Sequence, residues 1–332
     1  FEPGLASYGP TSGEIEYLDI MDGKMKKANL RDLEDNRSHE VTFLTDYTFD
    51  SGLKWNLDMK YMTAPEANYV DFGGSTISEL TESDGYTLSD GTPYAGLVEG
   101  RRTWLHFGKV KNFLVTSELA QRFGNHQMRL GLNEWYYHLD YHSSSFQWTG
   151  SVQEYPEILT ASDGSRFRGF NELSPEYTKG YENKLALYLT DDWQVSPKLN
   201  IYYGARLEYY RMSADQIAHS RYSGFYIGDT APDGEVITPA KVTKDKLNYA
   251  ATARVTYNVT KQFGLTADGT VATRYPRINE YAGTGPTEEQ YKRVTIPLVR
   301  GGLFYKNDWL DLTSMVTYIA KTNNIDQQNL TK

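Results

Sequence analysis

His138 and His142 stand four residues apart in HLDYH, and a close pair of imidazoles is one start of a transition-metal site. On a β-strand that spacing places them about 13 Å apart, too far to share an ion. His39, His106, His126 and His219 fall in turns or beside loops without a clustered ligand partner. Ser-Asp-Gly recurs at 83–85, 89–91 and 162–164. The alternating oxygen ligands of an EF-hand loop are absent, and Asx-turns account for the repeats. Neither a Gly-x-Ser-x-Gly elbow nor a phosphate loop occurs. These residues point to no catalytic set, no metal centre and no cofactor. What remains is a group of charges, Arg206, Glu208, Arg254 and Arg274, whose meaning depends on the elements that carry them.

Those elements are strands. From Leu247 to Val259 the odd positions read Leu, Tyr, Ala, Ala, Val, Tyr, Val, while the even ones include Thr252, Arg254 and Thr256. Alternation at every step places two chemistries on opposite faces of a strand. After Thr260-Lys261-Gln262 the pattern resumes, with Phe263, Leu265, Ala267 and Val271 opposite Thr266, Asp268 and Arg274. The same strand–turn–strand rhythm surrounds Asp50-Ser51-Gly52, Gly124-Asn125-His126, Ser196-Pro197-Lys198 and Lys306-Asn307-Asp308, which predicts five hairpins and ten strands. Gly, Asn, Asp and Pro suit such turns because they accept positive φ or preset the bend. The hairpins are joined by long links at roughly 63–110, 141–182, 214–246 and 277–293. Links longer than about 12 to 15 residues are uncommon in compact soluble domains. Their strict alternation with tight turns is the asymmetry of an outer-membrane barrel, with short periplasmic turns and long extracellular loops.

Composition agrees. A mean hydropathy of −0.60 argues against helical spans, and no apolar run approaches the roughly 20 residues such a span needs. It does not argue against a barrel, in which only one strand face is apolar. The net charge of −9 disfavours nucleic acid as a partner, and the absence of cysteine excludes a disulfide scaffold. Aromatics gather at both strand ends: Phe49, Trp193, Phe263 and Trp309 beside short turns, and Tyr61, Trp135, Tyr209, Tyr275 and Tyr318 opposite. Two girdles bounding an apolar band about 25 Å tall would produce this placement. The expected fold is therefore all-β, a transmembrane antiparallel β-barrel facing outer-membrane lipid.

The stretch LALYLTDDWQVSPKLNIYYGARLEYYRM resembles the barrel of TonB-dependent outer-membrane receptors through Tyr188, Asp191, Asp192, Trp193, Leu199, Ile201, Gly204, Arg206 and Glu208. RYPRINEYAG is similar to that family's Arg-x-Pro-x-x-x-Glu-Tyr signature through Arg274, Pro276, Glu280 and Tyr281. The pattern often has Tyr-Asp where this chain has Leu207-Glu208. The resemblance implies a barrel of about 22 strands around a plug, located in the outer membrane of a Gram-negative bacterium. It also implies energised import of a scarce nutrient, with power drawn through TonB by way of a plug region. Ten strands are part of such a wall. Residues 1–37 are then expected to be an extracellular loop region preceding the first clear strand, with a small hairpin around Asp22-Gly23. Residues 38–324 hold the barrel strands and loops, and 325–332 start a further loop. The N-terminal plug and the final strands are expected to lie outside this sequence.

Two sets of residues become candidate site positions. Arg206, Glu208, Arg254 and Arg274 lie on the polar, lumen-facing parity, either as a solvated wall or with some of the arginines as partners of plug carboxylates. Trp148, Phe146, Tyr155, Tyr86 and Tyr94 lie in the long links as candidate ligand-binding aromatics, with packing of the loops against themselves as the alternative. The ligand would be a small molecule or an oligosaccharide, with siderophore, cobalamin, haem and glycan all open, and a surface lipoprotein is a further possible partner. Two other classes fit parts of the pattern. A complete ten-stranded barrel enzyme, such as an omptin-like protease, predicts closure within this chain, and a soluble β-sandwich adhesin predicts purification without detergent.

Overall fold

The computed structural model describes residues 12–33, 36–168, 176–217, 226–278 and 291–323, without the side chains of 71–75, 102, 145–146 and 167–168, and among the described residues there are fourteen strands. β1 (Glu14–Leu18) and β2 (Met25–Asn29) make a separate hairpin around Asp22-Gly23. The wall comprises β3 (Asn36–Thr48), β4 (Lys54–Ala67), β6 (Gly96–Phe123), β7 (His126–Ser151), β9 (Glu176–Ser196), β10 (Leu199–Ile217), β11 (Ala240–Asn258), β12 (Phe263–Arg274), β13 (Val294–Lys306) and β14 (Asp311–Ile319). These ten follow one another in space as in sequence, each antiparallel to its neighbour. β5 (Tyr69–Leu80) adds to β6, and β8 (Phe167–Arg168) to β7.

The five short turns are where the sequence places them. Two of them are two-residue loops: Ser196 pairs with Leu199 around Pro197-Lys198, and Phe123 pairs with His126 around Gly124-Asn125, where Gly124 has φ of 58°, the conformation such a loop requires at its first position. Among the described residues β3 and β14 are each paired on one side only, so the sheet is an open arc rather than a closed ring.

The two faces of the arc differ. Leu187, Leu207, Leu247 and Val299 point outward and are more than half exposed, while the opposite face carries ion pairs and amides. The outward aromatic row at the outer end is Tyr61, Phe113 and Tyr136, which stand side by side in register across β4, β6 and β7. The stretch from Phe113 to Phe123 covers about 25 Å at the roughly 40° tilt of such strands, the height of the apolar band. Two aromatics expected in this girdle face elsewhere. Trp135 is on the lumen side, beneath the Lys184 ammonium at 4.2 Å, and Tyr275 packs into a cluster with Tyr210, Met212 and Tyr291. For Trp135 the reason is parity, since Tyr136, one residue on, holds the outward position; Tyr275 follows the last residue of β12 and so is outside the strand.

The long links are not simply loops. β6 runs for 28 residues and β7 for 26, more than twice the length needed to cross the apolar band. β5 continues the line of β4 after Asn68 and pairs with β6 from Tyr69↔His106 to Leu80↔Gly96. A three-stranded ribbon therefore projects well beyond the aromatic row. It has its own core: Ile15, Tyr17 and Leu33, from the β1–β2 hairpin and the turn after it, pack on Leu105, Trp148 and Ile158. Ile20 donates its backbone N–H to Ser144 Oγ at 3.3 Å.

Candidate functional site

The lumen face is a chain of satisfied charges. Successive inward positions on one strand are two residues apart, so Arg206 and Glu208 are neighbours by construction. The Arg206 guanidinium is 2.9 Å from Glu208 Oε2 and donates to Asn133 Oδ1 at 3.0 Å; Glu208 Oε1 accepts from Asn248 Nδ2 at 3.1 Å. Arg129 and the Tyr188 hydroxyl meet on Glu118 at 3.3 and 2.9 Å, and Arg300 grips both carboxylate oxygens of Asp268 at 2.9–3.0 Å. Tyr188 lies across its register partner Gly131 so closely that a Cβ there would come within 2.1 Å of the ring. A glycine is needed to let the phenol reach Glu118. Arg254 is exposed on the same face and stacks over the Tyr202 ring at 5.7 Å; among the described residues it has no ion-pair partner. Arg274 ends β12 on the lumen parity, opposite Val294.

The motif residues in the wall divide by face. Asp191 points outward beside the periplasmic turns, buried to 2% exposure beneath His126 and Tyr203, which bond its Oδ2 at 2.6 and 2.8 Å. Asp192 faces the lumen and accepts from Asn200. Trp193 stacks on His126 with centroids 5.1 Å apart. The acidic pair followed by tryptophan thus ties β7, β9 and β10 together at the periplasmic end. Glu280 and Tyr281 of the second motif lie outside the described residues. Its start is anchored in the lumen: the Tyr210 hydroxyl donates to the Pro276 carbonyl at 3.1 Å, and Glu182 accepts from the Ile278 N–H.

The five link aromatics separate into different environments. Trp148 lies on β7, 2% exposed, inside the ribbon's core, with its indole N–H donating to Thr103 Oγ1 at 3.0 Å. Its ring occupies the space above Gly150, where a Cβ would come within 2.6 Å. Phe146 is also on β7, with its side chain outside the described residues. Tyr94 is buried against Val98 and Leu159, with Tyr86 half-buried at the edge of the same cluster. Tyr155 is 65% exposed. A cavity of about 290 Å³ brings Tyr86 and Trp148 together with Thr76, Ser78, Gln147 and Thr149, a lining of hydroxyl, amide and aromatic groups near the tip of the ribbon.

Sequence reading missed a polar network at the mouth of the lumen. Tyr69 stacks on His106 at 4.0 Å; His106 Nδ1 is 2.8 Å from the Tyr141 oxygen; Tyr141 and Ser143 both donate to Glu176 Oε2, at 2.8 and 2.7 Å. Because the Tyr141 proton goes to Glu176, the imidazole supplies the proton between the two rings. Burial, and then the Glu176 charge, push the Tyr141 phenol far above its ordinary range. The only sequence signal was the shared lumen parity of Tyr141 and Ser143. His138 and His142 both lie on the outward face and do not converge.

A family model described as outer membrane beta barrel domain matches residues 23–264, which span the second strand of the small hairpin and the wall as far as the start of β12. No curated protein matches the chain in sequence. Among solved structures, the open form of the ferric-catecholate import receptor Fiu from E. coli K12 is similar at 11% identity and TM-score 0.52, over 86% of this chain and 41% of that one. The copper transporter OprC is similar at 12% identity and TM-score 0.38, over 92% and 46%. The ferric citrate transporter FecA, unliganded, is similar at 14% identity and TM-score 0.35, over 90% and 51%. The chain spans about half the length of these proteins or less.

Proposed function

The chain belongs to the outer membrane β-barrel domain family of the Gram-negative outer membrane, and from that premise we propose that it builds part of the wall and mouth of a TonB-dependent import receptor. One observation carries the reading: ten wall strands form an arc whose two edge strands are unpaired outward among the described residues. In lipid each unpaired backbone group costs several kcal/mol, so such an arc is completed by further strands. A ring much larger than ten strands encloses room for a plug, and a complete ten-stranded enzyme barrel would instead pair β3 with β14.

On this reading the lumen arginines divide their work. Arg206 is spoken for by Glu208 and Asn133 and stiffens the wall, whereas Arg254 is placed to meet a plug carboxylate. The ribbon is the capturing surface, with Tyr155 and Tyr86 as the aromatics that meet a small-molecule or oligosaccharide ligand. Trp148 and Tyr94 support the surface from beneath. Residues 12–33 and the outer halves of β5–β7 then form the extracellular part, and contact with TonB would be made through a plug held inside the completed ring.

Uptake of a panel of ferric siderophores, cobalamin, haem and oligosaccharides, compared in cells with and without TonB and with and without this gene, tests the proposal. The expected result is one ligand whose uptake disappears on either deletion. Uptake that needs this gene but proceeds without TonB would point to a passive pore.

A further inference from the structure

The outward face of the wall carries a cavity of about 340 Å³ where the wall meets the ribbon. Met21 of the β1–β2 turn, Phe107 of β6 and Tyr177 of β9 provide apolar walls, and His142 stacks on Phe107 with centroids 4.9 Å apart. Its charged lining is Lys109, Lys179, Asp140 and Glu66, with Pro65, Asn68 and Gly108 between them. Lys109, Asp140 and Lys179 are side by side in register across β6, β7 and β9.

Height decides what this cavity meets. Phe113 belongs to the outward aromatic row that marks the edge of the hydrocarbon. Lys111 and Lys109 are two and four residues farther along the same face of β6, which puts them about 7 and 13 Å up the strand and less along the membrane normal. That is the layer of lipid headgroups, which adds roughly 5 to 8 Å beyond the hydrocarbon. Both ammonium groups are exposed, and among the described residues neither has an ion-pair partner. Lys179 is 3.0 Å from Asp140 and Glu66 is 3.4 Å from Arg37, so each carboxylate of the lining has its own cation and the charges of Lys109 and Lys111 are left over. In a protein of net charge −9 this is a locally positive, outward-facing patch, and it borders an apolar hollow open to the membrane side.

We propose that the cavity binds a single phosphate-bearing lipid of the outer leaflet, with its apolar portion against Met21, Phe107 and Tyr177 and its phosphate on Lys109 and Lys111. Lysines near a membrane surface attract anionic lipid, and apolar walls select an amphiphile over a free anion. Because Met21 belongs to the small hairpin and Tyr177 to β9, the bound lipid would bridge the ribbon to the wall. The proposal rests on membership of the outer membrane, not on the transport reading.

The test uses the full-length protein, purified in detergent and delipidated, and titrated under native mass spectrometry with lipid A, with its dephosphorylated form and with inorganic phosphate. One retained lipid A per protein is expected, with weaker retention of the dephosphorylated form and no displacement by phosphate. Replacing Lys109 and Lys111 together by alanine should cut lipid A occupancy about tenfold or more. Replacing Lys198 and Lys261 in the periplasmic turns should leave it unchanged. All four lysines are exposed, and heat-modifiability on gels confirms that each variant is folded. Equal retention of both lipid forms, binding of inorganic phosphate in place of the lipid, or unchanged occupancy in the Lys109/Lys111 variant would overturn the proposal. So would loss of a co-purifying surface lipoprotein with lipid binding intact.

Discussion

β6 and β7 carry one uninterrupted register from Val98↔Ser151 to Phe123↔His126, yet their lower and upper halves live in different surroundings. Below the Tyr61–Phe113–Tyr136 row, the outward residues Leu119, Leu130 and Leu132 are 39–46% exposed. Above it, on the same face of the same strands, Leu105 is 1% and Trp148 2% exposed, because the β1–β2 hairpin covers them. An apolar strand face is satisfied by lipid or by protein equally well, and height relative to the aromatic row decides which. The lower half is a single layer whose stability comes from backbone pairing and lipid. The upper half is a two-layer structure with a core of its own.

That contrast is easiest to break in the upper half. Trp148→Ala removes a fully buried indole, and large-to-small changes of this kind cost about 3–5 kcal/mol. Hydrogen exchange should show the ribbon beyond Phe107 opening while the amides of β9–β13 stay protected. Equal loss of protection in both regions would mean that they form a single cooperative unit.

In the lower half the lipid itself is the probe. Leu187→Arg or Ala253→Arg should destabilise the barrel by about 2–4 kcal/mol in a denaturant titration in detergent or bilayers. Thr252→Arg should cost little, because Thr252 faces the lumen and bonds Thr270 across the wall at 2.9 Å. Equal tolerance at Ala253 and Thr252 would undo the assignment of faces.

The division within the ribbon is sharpened by function. Tyr155→Ala should weaken ligand capture several-fold with assembly unchanged, since a few exposed aromatics commonly dominate binding. Trp148→Ala should weaken it only through loss of local order. A binding loss for Tyr155→Ala that matches the ribbon's loss of order would remove its direct role.

The smallest expected effect is a pH dependence. Burial holds the His142 imidazole below its ordinary range, so the unfolded chain, with histidine near about 6.5, binds the proton more readily than the folded ribbon does. Stability is therefore present above that value and falls as pH drops through the lower folded one. The Asp19 and Asp140 carboxylates raise the imidazole's affinity for the proton, and Lys26 and Lys109 lower it. Protection factors in the ribbon, which compare exchange with the intrinsic rate at each pH, should fall on acidification, and His142→Phe should flatten that response.

Much of the wall could be read directly. The alternation of Leu247–Val259 and the turn residues at five positions are local signals, and they carried the ten strands and their order. The extent of β6 and β7 could not be read the same way. Between Glu99 and Gly108 both faces are covered by protein, so Arg101, Thr103 and Leu105 on one side contrast little with Gly100, Trp104 and His106 on the other. Where both faces are covered, the period-two signal disappears. Trp148 and Tyr155 look alike as loop aromatics, and only burial separates them. Gly150, two residues beyond Trp148 on the same face, was the available hint that a large ring lies flat there. The Arg206–Glu208 contact was legible from their i, i+2 spacing, but a plug carboxylate offered a competing destination for the arginine.

The central claim, that one strand face passes from lipid to water and protein at the Phe113–Tyr136 row, is tested most directly by spin-label accessibility. Nitroxides placed singly at Leu119, Leu130, Leu132, Lys109 and Asp140 of the full-length protein in its own outer membrane would be relaxed by oxygen and by a water-soluble nickel complex. Oxygen should dominate at Leu119, Leu130 and Leu132, and nickel at Lys109 and Asp140. Nickel access at Leu130 and Leu132 as high as at Lys109 would contradict the claim.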